Sequence, residues 1–219
     1  MDSKPKKYVI FVIIIPSFLI GLSLGLLVNV EVGETRPAIS NYENAEIDQH
    51  LDIHTRIRSV VLKHEMIQNE IKYWHLGNIS DEQARKKATF IYGYAEKYNF
   101  CPFLITALGV VESNLTQDRI SYRGAIGITQ LMPNIARYLD VNPYNMKENI
   151  KGGTKFLREL KEQYSCIELA LAHYNAGINP EKKLEWSSVS SYVWNIKNIS
   201  NSLTRRYKDE LGRTNKENI

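Results

Sequence analysis

Between Tyr8 and Val30 no charged side chain interrupts a mostly apolar run, about as long as the ~20 residues an α-helix needs to cross a bilayer core. That run divides the chain into a membrane segment and whatever the segment delivers. Lys4, Lys6 and Lys7 precede it and Glu31 and Glu34 follow, so the positive-inside rule predicts a cytoplasmic N-terminus (1–7), a single transmembrane anchor (8–30) and the remainder on the periplasmic or extracytoplasmic side of the cytoplasmic membrane. A cleaved secretory signal is the other reading. Such signals have an apolar core of about 7 to 15 residues ending at a small-x-small site, and Val28, Asn29 and Val30 do not supply one. Both readings place the domain on the same side of the membrane.

Beyond the run, residues 31–46 are mostly polar, contain Gly33 and Pro37, and lack an apolar period, which predicts a tether. From 47 to 79 the apolar residues Ile47, Leu51, Ile57, Val60, Val61, Ile67, Ile71 and Trp74 recur at three- and four-residue spacing, predicting an amphipathic helix or a broken pair. Its stripe must pack on something, either the domain that follows or another chain. Gly77 and Asn78 stop it, and Ser80 with Gln83 forms a capping box for the next helix, whose buried face is Ala84, Ala88, Ile91, Ala95 and Tyr98. Pro102 suits the first turn of a third helix, and helical patterns resume over 133–139, 146–164, 167–174 and 189–207. Only residues 125–129 suggest a brief strand or loop, so residues 80–203 read as one mainly α-helical domain, followed by a polar tail over 204–219.

Composition narrows function mostly by exclusion. A net charge of +4, with no dense Lys/Arg block outside the termini, gives no sign of nucleic-acid binding. Cys101 and Cys166 are the only cysteines, in a compartment where disulfides persist, and the sequence leaves pairing and burial as free thiols equally open. His50 and His54 have a chelating spacing on a helix but no third ligand, so neither a metal nor any cofactor is expected.

Glu112 carries the chemistry. It follows Gly109, Val110 and Val111 at the end of an apolar helix, so its carboxyl is expected to face a cleft with dry walls. Desolvation disfavours a carboxylate and keeps a Glu protonated near neutrality, as an acid donating to a glycosidic oxygen requires. By itself this position fits an ordinary helix-end carboxylate better.

Three later segments reverse that balance. Glu112 and Ser113 are followed by Gly127, Ile128, Thr129, Gln130, Leu131, Met132 and Pro133, then by His173, Tyr174, Asn175, Ala176 and Gly177, then by Tyr192 in a late helix. In this order and spacing, over about residues 88–199, the sequence resembles the soluble lytic transglycosylase family, relatives of goose-type lysozyme. The resemblance implies a lysozyme-like helical fold with a glycan-binding groove and a peptidoglycan substrate. It further implies cleavage of the β-1,4 bond between N-acetylmuramic acid and N-acetylglucosamine to 1,6-anhydromuramic ends, with Glu112 as general acid and then base. Glycosidases ordinarily flank the bond with two carboxylates; this motif set supplies one, and Asp118, Asp140 and Glu148 belong to no motif.

Ser113, Gly127, Gln130, Met132, Tyr174, Asn175 and Tyr192 are the substrate-binding candidates. Each has a plainer role open to it: a backbone-bonding hydroxyl for Ser113, a turn for Gly124 and Gly127, and core packing for Tyr192. Two departures stand out. Ile128 and Thr129 replace a common Leu-Met, and His173 replaces the usual Ala, either buried against its helix or bordering the groove. The other functions open to this fold are a muramidase that hydrolyses the same bond and a non-catalytic glycan-binding part of an envelope-spanning machine. Expected partners are peptidoglycan strands, the membrane and, with an anchored enzyme, secretion or conjugation components.

Overall fold

The structure, a computed structural model, describes residues 38–216, with side-chain surroundings for 53–213. The expected anchor, the N-terminus before it and the tether up to residue 37 lie outside the described residues. Among those described, no helix is long and apolar enough to cross a membrane. The described residues form α1 (Ala38–Trp74), α2 (Asp81–Lys97), α3 (Pro102–Ser113), α4 (Pro133–Tyr138), α5 (Met146–Tyr164), α6 (Ile167–Ala176), α7 (Pro180–Leu184) and α8 (Ser187–Lys216). The compact unit that carries the site begins at Glu46.

Two boundaries differ from expectation. Residues 38–46, read as tether, are the opening turns of α1. They contain no Gly or Pro, and extending a formed helix fixes one residue per added hydrogen bond, so helix spreads into polar sequence once the apolar stripe beyond it has packed. Most of the expected polar tail belongs to α8. Leu203 is fully buried, and Tyr207 bonds Ser59 Oγ at 2.7 Å and packs on the Phe103 ring at 5.7 Å. Arg206 pairs with Glu70 at 2.8 Å, so contacts to α1 hold turns that are polar in sequence.

The start of α2 follows its sequence signal: Gln83 N donates to Ser80 Oγ at 3.2 Å, and Ser80 N donates to Gln83 Oε1. α3 is the centre of the unit. Nine of its twelve residues are buried, among them Phe103, Leu108 and Val110, because a helix apolar on all sides can be satisfied only by neighbours on all sides. α8 and α2 pack against it, while α5 packs on α2 and α6, and α6 on α7 and α8. Ile67 and Ile71 of α1 fill the same core as Ile91, Leu157, Leu171 and Ile196, so the C-terminal part of the α1 stripe docks on its own domain. Ile53, Ile57, Val60 and Val61 on the same helix stay exposed. Residues 125–129 make no named strand; Ile126 forms isolated antiparallel bridges with Ile120 and Leu131. Cys101 and Cys166 are free thiols, and Cys166 Sγ donates to Glu168 Oε2 at 3.0 Å.

Candidate active site

The site is built where α3 ends. Asn114 and Leu115 both take positive φ, 53° and 61°, which reverses the chain immediately after Glu112 and Ser113. The exposed carbonyls of that end need donors. Asn114 N and Leu115 N donate back to Val110 O and Gly109 O, each at 2.9 Å. Lys87, 7% exposed, donates from Nζ to Leu115 O at 2.9 Å. The same ammonium meets His75 Nε2 at 3.1 Å, and His75 Nδ1 lies 2.8 Å from Ile71 O. With Nδ1–H donating to that carbonyl, Nε2 is free to accept from Lys87. Burial lowers the Lys87 pKa, and the charge of Asp118 works against that.

Ser113 faces inward. Its hydroxyl lies 2.8 Å from Ile128 O and 3.3 Å from Gly109 O and accepts from Thr116 N at 3.1 Å. It therefore ties the end of α3 to the Gly-x-x-Gln turn and does not line the groove. Gly127 is also outside the groove lining. At φ +79°, a Cβ there would fall 2.4 Å from Asn149 Nδ2, so the missing side chain makes room for an asparagine and not for a sugar. Asn149 is fully buried on α5. It donates to Ile126 O at 2.8 Å and Pro143 O at 3.0 Å, and Oδ1 accepts from Thr129 N and Thr129 Oγ1, both at 2.9 Å. Thr129 in turn lies against Gly153, where a Cβ would sit 2.4 Å from its side chain. The Thr that departs from the family pattern is thus matched by an Asn–Gly pair on α5.

That turn sets one wall of an open groove of about 480 Å³. Glu112, Gln130, Met132, Tyr174 and Asn175 line it, together with Arg123, Phe156, His173 and Ile178. Gln130 is held by Nε2 donating to Gly127 O at 2.9 Å and Arg119 O at 3.2 Å. Tyr174 donates to Thr129 O at 2.8 Å, which joins α6 to the turn. His173 sits at the groove wall, half-buried, with Nδ1 2.8 Å from Tyr164 OH and its ring edge-on to Phe156. Its pKa is lowered by burial and by the charge of Lys183.

Tyr192 reaches the acid from behind the groove. Only 8% exposed on α8, it donates its hydroxyl to Glu112 Oε1 at 2.5 Å. Burial raises the Glu112 carboxyl from the ordinary 4.5 to about 7, against the Tyr192 hydrogen bond and the Arg119 charge, which both pull it down. Burial and the Glu112 charge push the Tyr192 hydroxyl well above its usual range. This phenol therefore stays protonated and donates at any pH where the protein works. Among the described residues lining the groove, Glu112 is the one carboxylic acid. Glu148 Oε2 accepts from Asn142 N at 2.7 Å, and Asp118 and Asp140 lie outside the groove lining. No group of three or more His, Cys, Asp or Glu among the described residues is arranged to hold a metal.

Sequence reasoning passed over Lys87, Asn149 and Arg123. A lysine within the polar spacing of α2 reads as surface, and an asparagine inside a helical pattern carries no sign of which carbonyls it will meet. The adjacent Gly152 and Gly153 on α5 were the available hint of a close approach.

The described helices thus form a bundle with an open groove lined by one carboxylic acid, Glu112, whose pKa burial raises. Residues 89–192 match the family described as "Transglycosylase SLT domain". The chain is 38% identical over 84 residues to a transglycosylase of Enterobacteria phage PRD1, covering 38% of this chain and 32% of that protein. It is 31% identical over 94 residues to the membrane-bound lytic murein transglycosylase C of Actinobacillus pleuropneumoniae, covering 37% and 26%. The 70 kDa soluble lytic transglycosylase SLT70 of Escherichia coli shares the fold at a TM-score of 0.52 and 18% identity, over 67% of this chain and 30% of that one. The match to the transglycosylase SLT domain thus takes in every residue from Glu112 to Tyr192, and the chain spans about a third or less of the length of these relatives.

Proposed function

We propose that the protein is a peptidoglycan lytic transglycosylase that cleaves the N-acetylmuramic acid to N-acetylglucosamine β-1,4 bond without water. The observation that carries this reading is the solitary Glu112, poised near pH 7 and hydrogen-bonded by Tyr192 in a groove with no second carboxylate among the described residues. A groove acid with pKa near the working pH is present in both protonation states, which suits a group that must give a proton and then take one. Protonated Glu112 donates to the leaving glycosidic oxygen. The substrate's acetamido group supports the cationic carbon, the glutamate then removes the C6 hydroxyl proton, and that oxygen closes on C1 as the 1,6-anhydro ring. An intramolecular nucleophile gains from being held in place, so a rigid groove substitutes for a charged partner. Tyr192 steadies the carboxylate formed midway, while Gln130, Met132, Tyr174 and Asn175 bind the strand; Ser113 and Gly127 act on it through the turn they hold.

The match to the transglycosylase SLT domain and the phage and murein relatives support the substrate class. The reading places the domain outside the cytoplasmic membrane, held by Tyr8–Val30, where local wall opening would serve secretion or conjugation components. Digestion of purified peptidoglycan followed by mass spectrometry of the muropeptides tests the chemistry. Anhydro ends, lighter by one water, are expected. Reducing ends would instead identify a muramidase, and no release a binding module. Glu112→Gln should abolish release while retaining glycan binding.

A further inference from the structure

A leucine with positive φ is a strained reversal, and here it follows close behind the acid. Leu115, at φ 61°, is fully buried and comes directly after Asn114 at φ 53°. A bulky side chain keeps that conformation only where its surroundings fix it. The Leu115 side chain fills the space left by Gly109, where a Cβ would fall 2.6 Å from Leu115 Cδ2, and Leu115 N donates to Gly109 O at 2.9 Å. From outside α3, Leu115 O accepts from the buried Lys87 Nζ at 2.9 Å. In this way α2 holds the end of the helix that carries Glu112. The cation also suits its place, because the backbone dipole of a helix is negative at the C-terminus.

Lys87 takes no part in the chemistry proposed above, and its other partner is a group that titrates. His75 Nε2, 3.1 Å from Nζ, accepts only while the ring is neutral, with Nδ1–H donating to Ile71 O at 2.8 Å. A second proton on the ring makes Nε2 a donor, so two donors and two positive charges then face each other across 3.1 Å. That arrangement does not persist, and one group moves. His75 is half-buried on the turn between α1 and α2, beside the exposed Leu76, Gly77 and Asn78, so solvent protons reach it.

The neighbouring charges do not hold the ring protonated. Asp118, in the loop after α3, acts on Lys87 and favours the ammonium. Lys72 of α1 pairs with Asp81 of α2, and Glu70 of α1 with Arg206 of α8. Among the described residues no carboxylate pairs with His75. Burial pulls its pKa below the ordinary 6.5, the bond to Ile71 O works against that, and the Lys87 charge adds to it.

We infer that Lys87 is a positioning residue for Glu112 and that His75 is its proton-operated catch: when the ring takes up a proton, Lys87 is displaced from Leu115 O and the end of α3 loosens. Glu112 by itself sets an alkaline limit to activity, since its protonated form begins the reaction. The His75–Lys87 pair sets a separate acidic limit. That kinetic consequence rests on the transglycosylase reading above, whereas the contact between α2 and α3 does not.

Two measurements on the full-length protein test the pair. In kinetics on solubilised peptidoglycan strands, wild-type kcat should fall as pH drops below the ordinary histidine range, with KM little changed. His75→Gln keeps an acceptor for Lys87 that takes up no proton. The ratio of kcat at about pH 7.5 to kcat at about pH 5 should be about three- to tenfold larger in the wild type than in His75→Gln, the scale of one hydrogen bond. Lys87→Met should be slow at both pH values, without the acidic fall. An acidic fall that survives in His75→Gln, or that resides in KM alone, overturns the proposal. The second measurement needs no activity: amide hydrogen exchange over residues 113–117, corrected for its intrinsic pH dependence. On going from about pH 7.5 to about pH 5, exchange should speed up by about three- to tenfold in the wild type and by less than about twofold in His75→Gln. The same response in both proteins overturns the proposal whatever the kinetics show. If the wild type releases no anhydro ends while its exchange responds as expected, the transglycosylase reading falls and the positioning contact stands.

Discussion

Replacing Glu112 by Gln should make the protein more stable, and only above acidic pH. Burial raises this carboxyl from 4.5 to about 7 in the folded state, so between those values the native protein binds a proton that the unfolded chain has released. The stability this proton contributes is fully present below about 4.5 and is lost as pH rises through about 7. At ~1.4 kcal/mol per pH unit, a rise of this size corresponds to roughly 3 kcal/mol lost by pH 8. Glu112 is partly open to the groove and solvent screens it, so about 1 to 2 kcal/mol is the expected net effect. The amide introduced by Glu112→Gln takes the neutral shape of the acid, can still accept from Tyr192, and does not ionise. Thermal unfolding of the Glu112→Gln and wild-type proteins should therefore coincide near pH 4, with the variant melting higher at pH 8 by about 3 to 6 °C for a domain of this size. A constant difference at both pH values, or a variant less stable at pH 8, would refute the argument that the acid is held near neutrality by burial.

Tyr192→Phe removes the hydroxyl that favours the ionised carboxyl. The alkaline limb of kcat/KM, which follows the protonated acid, should move up by about one pH unit, the scale of a hydrogen bond to a charged group; an unmoved or acid-shifted limb in a pH–rate profile counts against it. Lys87→Met leaves Leu115 O without its donor at the end of α3 and should cost about 1 to 3 kcal/mol in urea unfolding, accompanied by a fall in kcat. Gly127→Ala sets a Cβ 2.4 Å from Asn149 Nδ2 at a φ of +79°. It should destabilise by more than about 1 kcal/mol, and a neutral result by thermal melting would mean the turn can shift freely.

Much of the domain was legible in the chain itself. Ser80 and Gln83 marked the start of α2 and Pro102 the start of α3, because caps and breakers act within one turn of sequence. That Glu112, Gln130 and Tyr174 would come together was legible too, through the order of their motifs, and the three line one groove. The ends of α1 and α8 were not. Residues 38–46 and the turns after Thr204 are polar, and their helicity depends on neighbouring helix or on contacts such as Tyr207 with Ser59.

The sequence by itself determined that the chain is helical, that it carries one motif carboxylate, and which segments surround that acid, since these depend on residue type and local spacing. Tertiary structure alone decided what those residues do. It turned Ser113 and Gly127 away from the groove to hold a turn, and it brought Tyr192 from eighty positions away onto Glu112. It also buried Lys87 beneath the end of α3. Burial and long-range hydrogen bonding set a side chain's role and its pKa, and both are properties of the packed neighbours, which no local pattern of sequence encodes.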